Sequence, residues 1–179
     1  ENMPVIWRGP MVSGAVMQLL SQTDWGEIDY LIVDTPPGTG DVQLTLLQRI
    51  PLTSSIVVTT PQEVSISDCK KGIEMIKKLD KPITGLIENM SWFKPDDQHK
   101  KYFLFGKGGG KKLSEEYSIE LLAQLPLVEI SEDSNIQNHP LLKMEFVNIA
   151  DKLVNSLKAL KEKKSSGIPP VSYTHLTLP

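Results

Sequence analysis

Asp34 ends the apolar run Tyr30-Leu31-Ile32-Val33 and opens the segment Asp34-Thr35-Pro36-Pro37-Gly38-Thr39-Gly40-Asp41. A carboxylate at the carboxyl end of a buried strand can hold Mg²⁺ through a bound water. Pro36 and Pro37 stiffen the exit, and Gly38 lets a backbone N–H approach an anionic oxygen with no side chain in the way. Asp34 and Gly38 are the candidate catalytic residues on this reading, one linked to Mg²⁺ and one sensing a terminal phosphate. A strand running into a Pro-Pro-Gly turn would use the same residues, so this segment by itself leaves both readings open.

Further along the chain, Thr60-Pro61-Gln62 follows a second β-rich run, and Asn89 follows a third. An Asn side chain offers a donor and an acceptor together; it is also a common turn former after a strand. Gly106 to Lys112, GKGGGKK, has the look of a phosphate loop and fails its templates. A Walker loop requires Gly at the position of Phe105 and Ser or Thr at that of Lys112, and the deviant form requires one more residue between Lys107 and Lys111. Packing and turn formation account for it better. Asp96, Asp97 and His99 read as a solvated acidic loop in preference to a hard-metal site. Cys69 falls on an apolar helical stripe and reads as a core thiol. His139 precedes Pro140 in a turn, and neither it nor His175 has a catalytic partner in sequence. No zinc spacing or Gly-x-Ser-x-Gly elbow is present.

The elements that must position these groups follow from periodicity. Val12, Val16, Leu19 and Leu20 recur at helical spacing as far as Gln22. Tyr30 to Asp34 is too short for a helix and continuously apolar, which predicts a central parallel strand. A helical segment from Asp41 to Arg49, a strand from Ser55 to Thr60, and a helix starting near Ser65 with a Ser65/Asp68 capping box come next. Ile66, Cys69, Ile73, Ile76 and Leu79 form its buried stripe. Ile83 to Glu88 is a strand weakened by Gly85 at its middle, and Leu121 to Leu125 a shorter one. Between Ser91 and Lys112 the chain is polar, glycine-rich and irregular, and loops of that length are usually functional. Leu142, Phe146, Ile149, Leu153, Leu157 and Leu160 predict a long closing helix with a basic end. Strands alternating with crossover helices imply an α/β fold, a mostly parallel doubly wound sheet flanked by helices, with ligands beyond the carboxyl ends of the strands after Val33, Thr60 and Ile87.

Composition sets the boundaries. At 179 residues, 40% hydrophobic and 23% charged, with 12 Gly and 13 Pro, the chain is ordinary for a globular domain, and disorder, collagen and membrane-span readings fall away. A net charge of -3 leaves no basic footprint for nucleic acid or an anionic membrane. The single cysteine excludes an internal disulfide framework and any multi-cysteine metal site built from one chain, and fits a reducing, cytoplasmic compartment. The chain begins at Glu1 with no apolar leader, which reads as a cut or processed start. Val171 to Pro179 has no place in an α/β domain and reads, with residues 165–170, as a linker and non-native tail. Residues 1–164 are then the domain proper.

Together, NMPVIWRGPM, VDTPPGTGDVQLTL, VVTTPQEVSISDCKKGIEM, GLIENMS and FGKGGGKKLSEE resemble the Mrp/ApbC family of iron-sulfur cluster carrier ATPases, within the deviant P-loop group that includes MinD, ParA and the nitrogenase iron protein. The resemblance runs from Asn2 to about Leu157. It implies a P-loop NTPase fold, ATP and Mg²⁺ as cofactors, ATP hydrolysis, a homodimer, and apo iron-sulfur proteins as partners. It also implies that Asp34 is the Mg²⁺-linked acid, that Gly38 faces the γ-phosphate, and that Asn89 reads adenine, with Pro61 and Gln62 near the nucleotide by position.

Two departures qualify that implication. The family's Lys-Gly-Gly-x-Gly-Lys-Ser/Thr loop is not in this sequence, so the chain reads as the carboxyl-terminal part of a P-loop domain that lacks its first strand. Such a piece is expected to be unable to hydrolyse ATP alone, and to expose the sheet edge beside Tyr30 to Asp34. Many members also carry a Cys-x-x-Cys pair, two chains giving four thiolates to a 4Fe-4S cluster. Phe93 to His99 stands there instead, without cysteine. The competing expectation is a MinD/ParA-like switch that uses nucleotide to control a partner, with no cluster; a scaffold that has lost its P-loop is a third.

Overall fold

The computed structural model describes residues 9–35, 38–95, 100–129 and 139–165. In chain order they form α1 (Gly9–Gln22), α2 (Asp41–Arg49), β1 (Ser55–Thr59), α3 (Glu63–Lys78), β2 (Ile83–Phe93), α4 (Gly109–Tyr117), β3 (Leu121–Leu127) and α5 (Pro140–Ser165). Among the described residues the sheet has three strands in the order β1-β2-β3, both pairings parallel. Each crossover between parallel neighbours carries a helix, as parallel pairing requires.

Helices cover both faces of the central strand, so Gly85, Leu86, Ile87 and Glu88 are all buried. On one face Val57, Leu86, Ile73 from α3, Leu113 from α4 and Ile119 form a cluster, with Ile66, Cys69 and Ile76 packed against it. The expected α3 stripe is therefore the one that meets the sheet. On the other face Ile87, Leu122, Ala123 and Leu125 meet Leu142 and Ile149 of α5. α5 lies over β2 and β3, leaving Ile56 and Val58 on β1 at 40% and 57% exposure. Gly85 sits where the Leu122 side chain crosses β2: a β-carbon there would lie 2.5 and 2.8 Å from the Leu122 Cδ1 and Cδ2, and nearer still to Cγ. The glycine read as a weak point in the strand is thus a close approach between neighbouring strands.

Three local expectations are corrected. The strand expected over Ile83 to Glu88 runs on to Phe93, so Asn89 lies inside it and not past its end. Tyr30 to Asp34 is not a strand; Tyr30, Leu31 and Ile32 are exposed at 54%, 46% and 86%. An apolar run becomes a strand only when a neighbour completes its hydrogen-bond ladder, and among the described residues no strand pairs with this one. The Ser65/Asp68 capping box does not form either. α3 begins two residues earlier, with Gln62 as its N-cap and no side-chain cap bond. Ser65 Oγ instead accepts the Thr60 N–H at 3.1 Å and bonds Thr59 Oγ1 at 3.0 Å, while Asp68 pairs with Lys71. No helix among the described residues is long and apolar enough to cross a membrane. The residues assigned to a tail beyond 165 lie outside the described ones, as do Pro36, Pro37, Asp96, Asp97 and His99.

Candidate functional site at the carboxyl edge of the sheet

Parallel pairing sets Thr59 of β1 opposite Glu88 of β2, so Thr60-Pro61-Gln62 leaves β1 beside Asn89, which lies within β2 where its register with β3 is interrupted between Glu88 and Trp92. This is the crevice where α/β sheets bind ligands. The Ser65 bonds to Thr59 and Thr60 tie the exit of β1 to the first turn of α3. Gln62 is exposed and Asn89 half-buried. Asn89 Oδ1 accepts the Met90 N–H at 2.9 Å, and Met90 takes the left-handed backbone, φ +54°. The turn therefore uses the amide oxygen, while Nδ2 has no hydrogen-bond partner among the described residues.

The glycine-rich segment folds down on this edge. Gly108 takes φ +74° as the N-cap of α4. A β-carbon on Gly109 would lie 2.7 Å from the Pro61 carbonyl oxygen, and one on Gly110 would lie 2.8 Å from Glu88 Cβ and 2.9 Å from Glu88 Oε2. Neither position admits a side chain without backbone movement. The Gly110 N–H donates to Glu88 Oε2, so the anion at the start of α4 is a carboxylate of the protein itself. A helix N-terminus favours negative charge, and here that position is filled. The GKGGGKK segment accordingly serves packing, as its failure to match either phosphate-loop template implies.

Asp34 and Gly38 are placed differently. Asp34 is exposed and outside any strand; next to it, Thr35 Oγ1 accepts from Gln43 Nε2 of α2 at 3.4 Å. Gly38 has φ +92° and open space where a β-carbon would stand, so its backbone conformation, and not crowding, calls for glycine. Among the described residues no hydrogen bond joins Asp34 or Gly38 to β1 or β2. The structure brings Pro61, Gln62 and Asn89 together and leaves Asp34 and Gly38 on a separate segment.

At this edge the amides of half-buried Asn89 and exposed Gln62 are accessible to a ligand, while Pro61 is buried. A phosphate finds no place at the α4 start, which is occupied, and the sequence contains no Walker loop. Among the described residues no three His, Cys, Asp or Glu side chains cluster as a metal site. Cys69 is half-buried, and its S–H donates to the Val58 carbonyl at 3.3 Å. Burial pushes its thiol up, Asp68 adding to the rise and a Thr59 hydrogen bond opposing it, which is the reverse of a thiolate ligand's requirement. Where the family's cysteine pair would follow Asn-Met-Ser, β2 continues to Phe93, which bridges antiparallel to Tyr102 through two 2.7 Å backbone bonds. Lys101 Nζ lies 3.8 Å from the centre of the Trp92 ring.

Glu88 is a site component that the motif reading passed over, and it is what the glycine-rich segment, read as packing, packs against. The signal was available: a lone acid inside the apolar run Gly85-Leu86-Ile87-Glu88-Asn89-Met90, on a strand expected to be buried on both faces, requires a partner elsewhere.

The chain matches, over residues 1–160, the family of NUBPL iron-transfer P-loop NTPases of the ParA group. It is 49% identical over 136 residues to an iron-sulfur cluster carrier protein of Pseudomonas fragi, covering 75% of this chain and 47% of that one. It is 46% identical over 169 residues to an iron-sulfur cluster carrier protein of Methanocaldococcus jannaschii, covering 90% and 58%. The chain thus spans about half the length of the curated relatives it matches. Its fold superposes with TM-score 0.59 and 31% identity on a nucleotide-binding protein of Archaeoglobus fulgidus solved with ADP, covering 80% of this chain and 55% of that one. A parallel sheet with its candidate site at the strand exits, and motifs running from Asn2 onward, place this chain in the NUBPL iron-transfer P-loop NTPase family, among the Mrp/ApbC-type iron-sulfur cluster carriers.

Proposed function

We propose that this chain forms the base-recognition side of an ATP-binding, iron-sulfur cluster carrier. The observation that carries the proposal is the juxtaposition of Pro61 and Gln62, at the exit of β1, with Asn89 in the irregular stretch of β2 beside it. Asn89 supplies an amide to the adenine edge, its Nδ2 donating, while the exposed Gln62 borders the ring and the buried Pro61 shapes the chain beneath it. Asp34 would hold Mg²⁺ through a water, and the backbone N–H of Gly38 would meet the terminal phosphate. Bound ATP with Mg²⁺ supplies the phosphoryl-transfer chemistry; the chain's own part is to orient the base and respond at Gly38. Loss of the terminal phosphate would then shift the Gly38 segment and, with it, a homodimer interface. With no phosphate loop of its own, this chain alone does not hydrolyse ATP.

The cargo is a 4Fe-4S cluster destined for apo iron-sulfur proteins. Its four thiolates are not furnished by the single, half-buried Cys69. That observation favours the second reading, a ParA-like switch that controls a partner without a cluster. ATP titrations of the full-length protein and of its Asp34→Ala and Asn89→Ala variants test the nucleotide assignments. Equal affinity in all three would dismiss them. Reconstitution with iron and sulfide, followed by absorbance spectroscopy and transfer to an apo-ferredoxin, separates the carrier from the switch.

A further inference from the structure

Glu88 is fully buried. An ionised carboxylate out of water costs several kcal/mol unless its oxygens are well hydrogen-bonded, and here the described residues supply neutral donors. Ser91 Oγ donates to Oε1 at 2.8 Å and also approaches the Glu88 carbonyl oxygen at 2.8 Å. Gln124 Nε2 of β3 donates to Oε1 at 2.7 Å. The Gly110 N–H of α4 donates to Oε2. One side chain therefore joins the irregular turn within β2, the neighbouring strand and the helix packed over both.

Those are the parts that frame the candidate base site. Asn89 lies between Glu88 and the left-handed Met90, inside the four-residue turn that Ser91 closes onto Glu88. Gly109, beside the Gly110 that Glu88 holds, lies against the Pro61 carbonyl. Pulling the start of α4 onto Glu88 thus sets both walls of the crevice, the Asn89 turn directly and Pro61 through Gly109. Resting on the nucleotide reading above, we propose that Glu88 is a positioning residue for base recognition: by clamping Ser91, Gln124 and Gly110 it fixes the Asn89 amide against Pro61, and so sets the preference for adenine over guanine.

The test measures ATP and GTP affinities of the full-length protein and three variants. Asn89→Ala tests whether the base is read here. Glu88→Gln keeps the shape but turns an NH₂ group toward one donor, and should lower the ATP-to-GTP affinity ratio about tenfold, the worth of one well-made hydrogen bond. The exchanged pair Glu88→Gln/Gln124→Glu reinstates an acceptor opposite that amide and should restore most of the ratio. A merely structural role would weaken ATP and GTP alike, leaving the ratio unchanged. If Asn89→Ala collapses the ratio and a folded Glu88→Gln does not, the positioning role is overturned and the nucleotide reading stands. If Asn89→Ala leaves the ratio intact, or wild type binds neither nucleotide, both fall. Should Glu88→Gln fail to fold, the exchanged pair decides: a folded exchange that does not discriminate the bases overturns the proposal.

Discussion

Replacing Gly85 by alanine tests how the sheet is packed, independently of any ligand. Two opposing effects set the magnitude. Alanine restricts the unfolded chain and favours the variant by about 0.5–1 kcal/mol. Against that, the new methyl would overlap Leu122, with two of its side-chain carbons at 2.5 and 2.8 Å. Leu122 is 3% exposed and belongs to the cluster under α5, so it cannot swing into solvent. Overpacking of a well-filled core costs about 1–3 kcal/mol. The steric term wins, and Gly85→Ala should lower stability by roughly 1–2 kcal/mol net. For a chain of this size that is a fall of about 2–8 °C in Tm.

The mechanism is diagnosed by the pair. Leu122→Ala alone opens a cavity and should cost about 2–5 kcal/mol. In Gly85→Ala/Leu122→Ala the clash is gone and the added methyl occupies part of that cavity. The double variant should therefore be more stable than the sum of the two losses predicts, by at least about 1 kcal/mol. Urea denaturation at matched m-values supplies all four stabilities. Additivity within about 0.5 kcal/mol, the behaviour of sites that do not touch, would refute the packing argument, as would a Gly85→Ala protein more stable than the parent.

Two further expectations follow from single contacts. Burial holds the Cys69 thiol above its usual value of 9.0, so the folded state resists a deprotonation that the unfolded chain permits; the associated stability is whole below about pH 9 and is lost as pH rises through the folded pKa. The urea midpoint should accordingly drop more between pH 8 and pH 10 in the parent than in Cys69→Ala, and equal drops would contradict the assignment. Lys70 and Glu116 form an ion pair at 2.7 Å with side chains 40% and 49% exposed; Glu116→Gln should cost no more than about 1 kcal/mol, and a larger loss in the same unfolding assay would mean that the pair does more than its exposure allows.

What the sequence disclosed and what it concealed divide along a physical line. α2, β1, α5 and the α3 stripe as far as Ile76 were legible because each is specified by its own periodicity and burial pattern; Leu79, counted with that stripe, is instead the C-cap of the helix. Tyr30 to Asp34 was misread because an apolar run specifies only the wish to be buried. Its ladder depends on a partner strand that local pattern cannot supply. Ser65 was read as a cap because Ser-x-x-Asp is a local signature, yet its hydroxyl found a closer use on Thr59 and Thr60 across the strand exit. At the site, Pro61 could be placed by counting residues beyond the end of β1, whereas Asn89, expected past a strand ending at Glu88, lies within β2. Their adjacency depended on the β1–β2 register, and the clamp beneath them on a contact between residues 22 positions apart.

That contact also settles how a phosphate-loop look-alike should be understood in this fold. A phosphate cradle needs glycine for close backbone approach, a helix start for its unpaired N–H groups, and an anion to receive them. Lys107 to Lys111 supplies the first two, which is why the segment resembles such a loop. The third comes from within, as Glu88 reaches Gly110 from the central strand. An internal carboxylate is always present at that helix start, whereas a bound phosphate comes and goes, so the same backbone chemistry that elsewhere captures a ligand here locks α4 onto the sheet. The glycines are needed for the same steric reason in both cases: at Gly110 a β-carbon would collide with the anion's own side chain. A glycine-rich helix start is thus a site for whatever negative charge the fold places against it, and a buried acid on a facing strand marks one whose anion is built in.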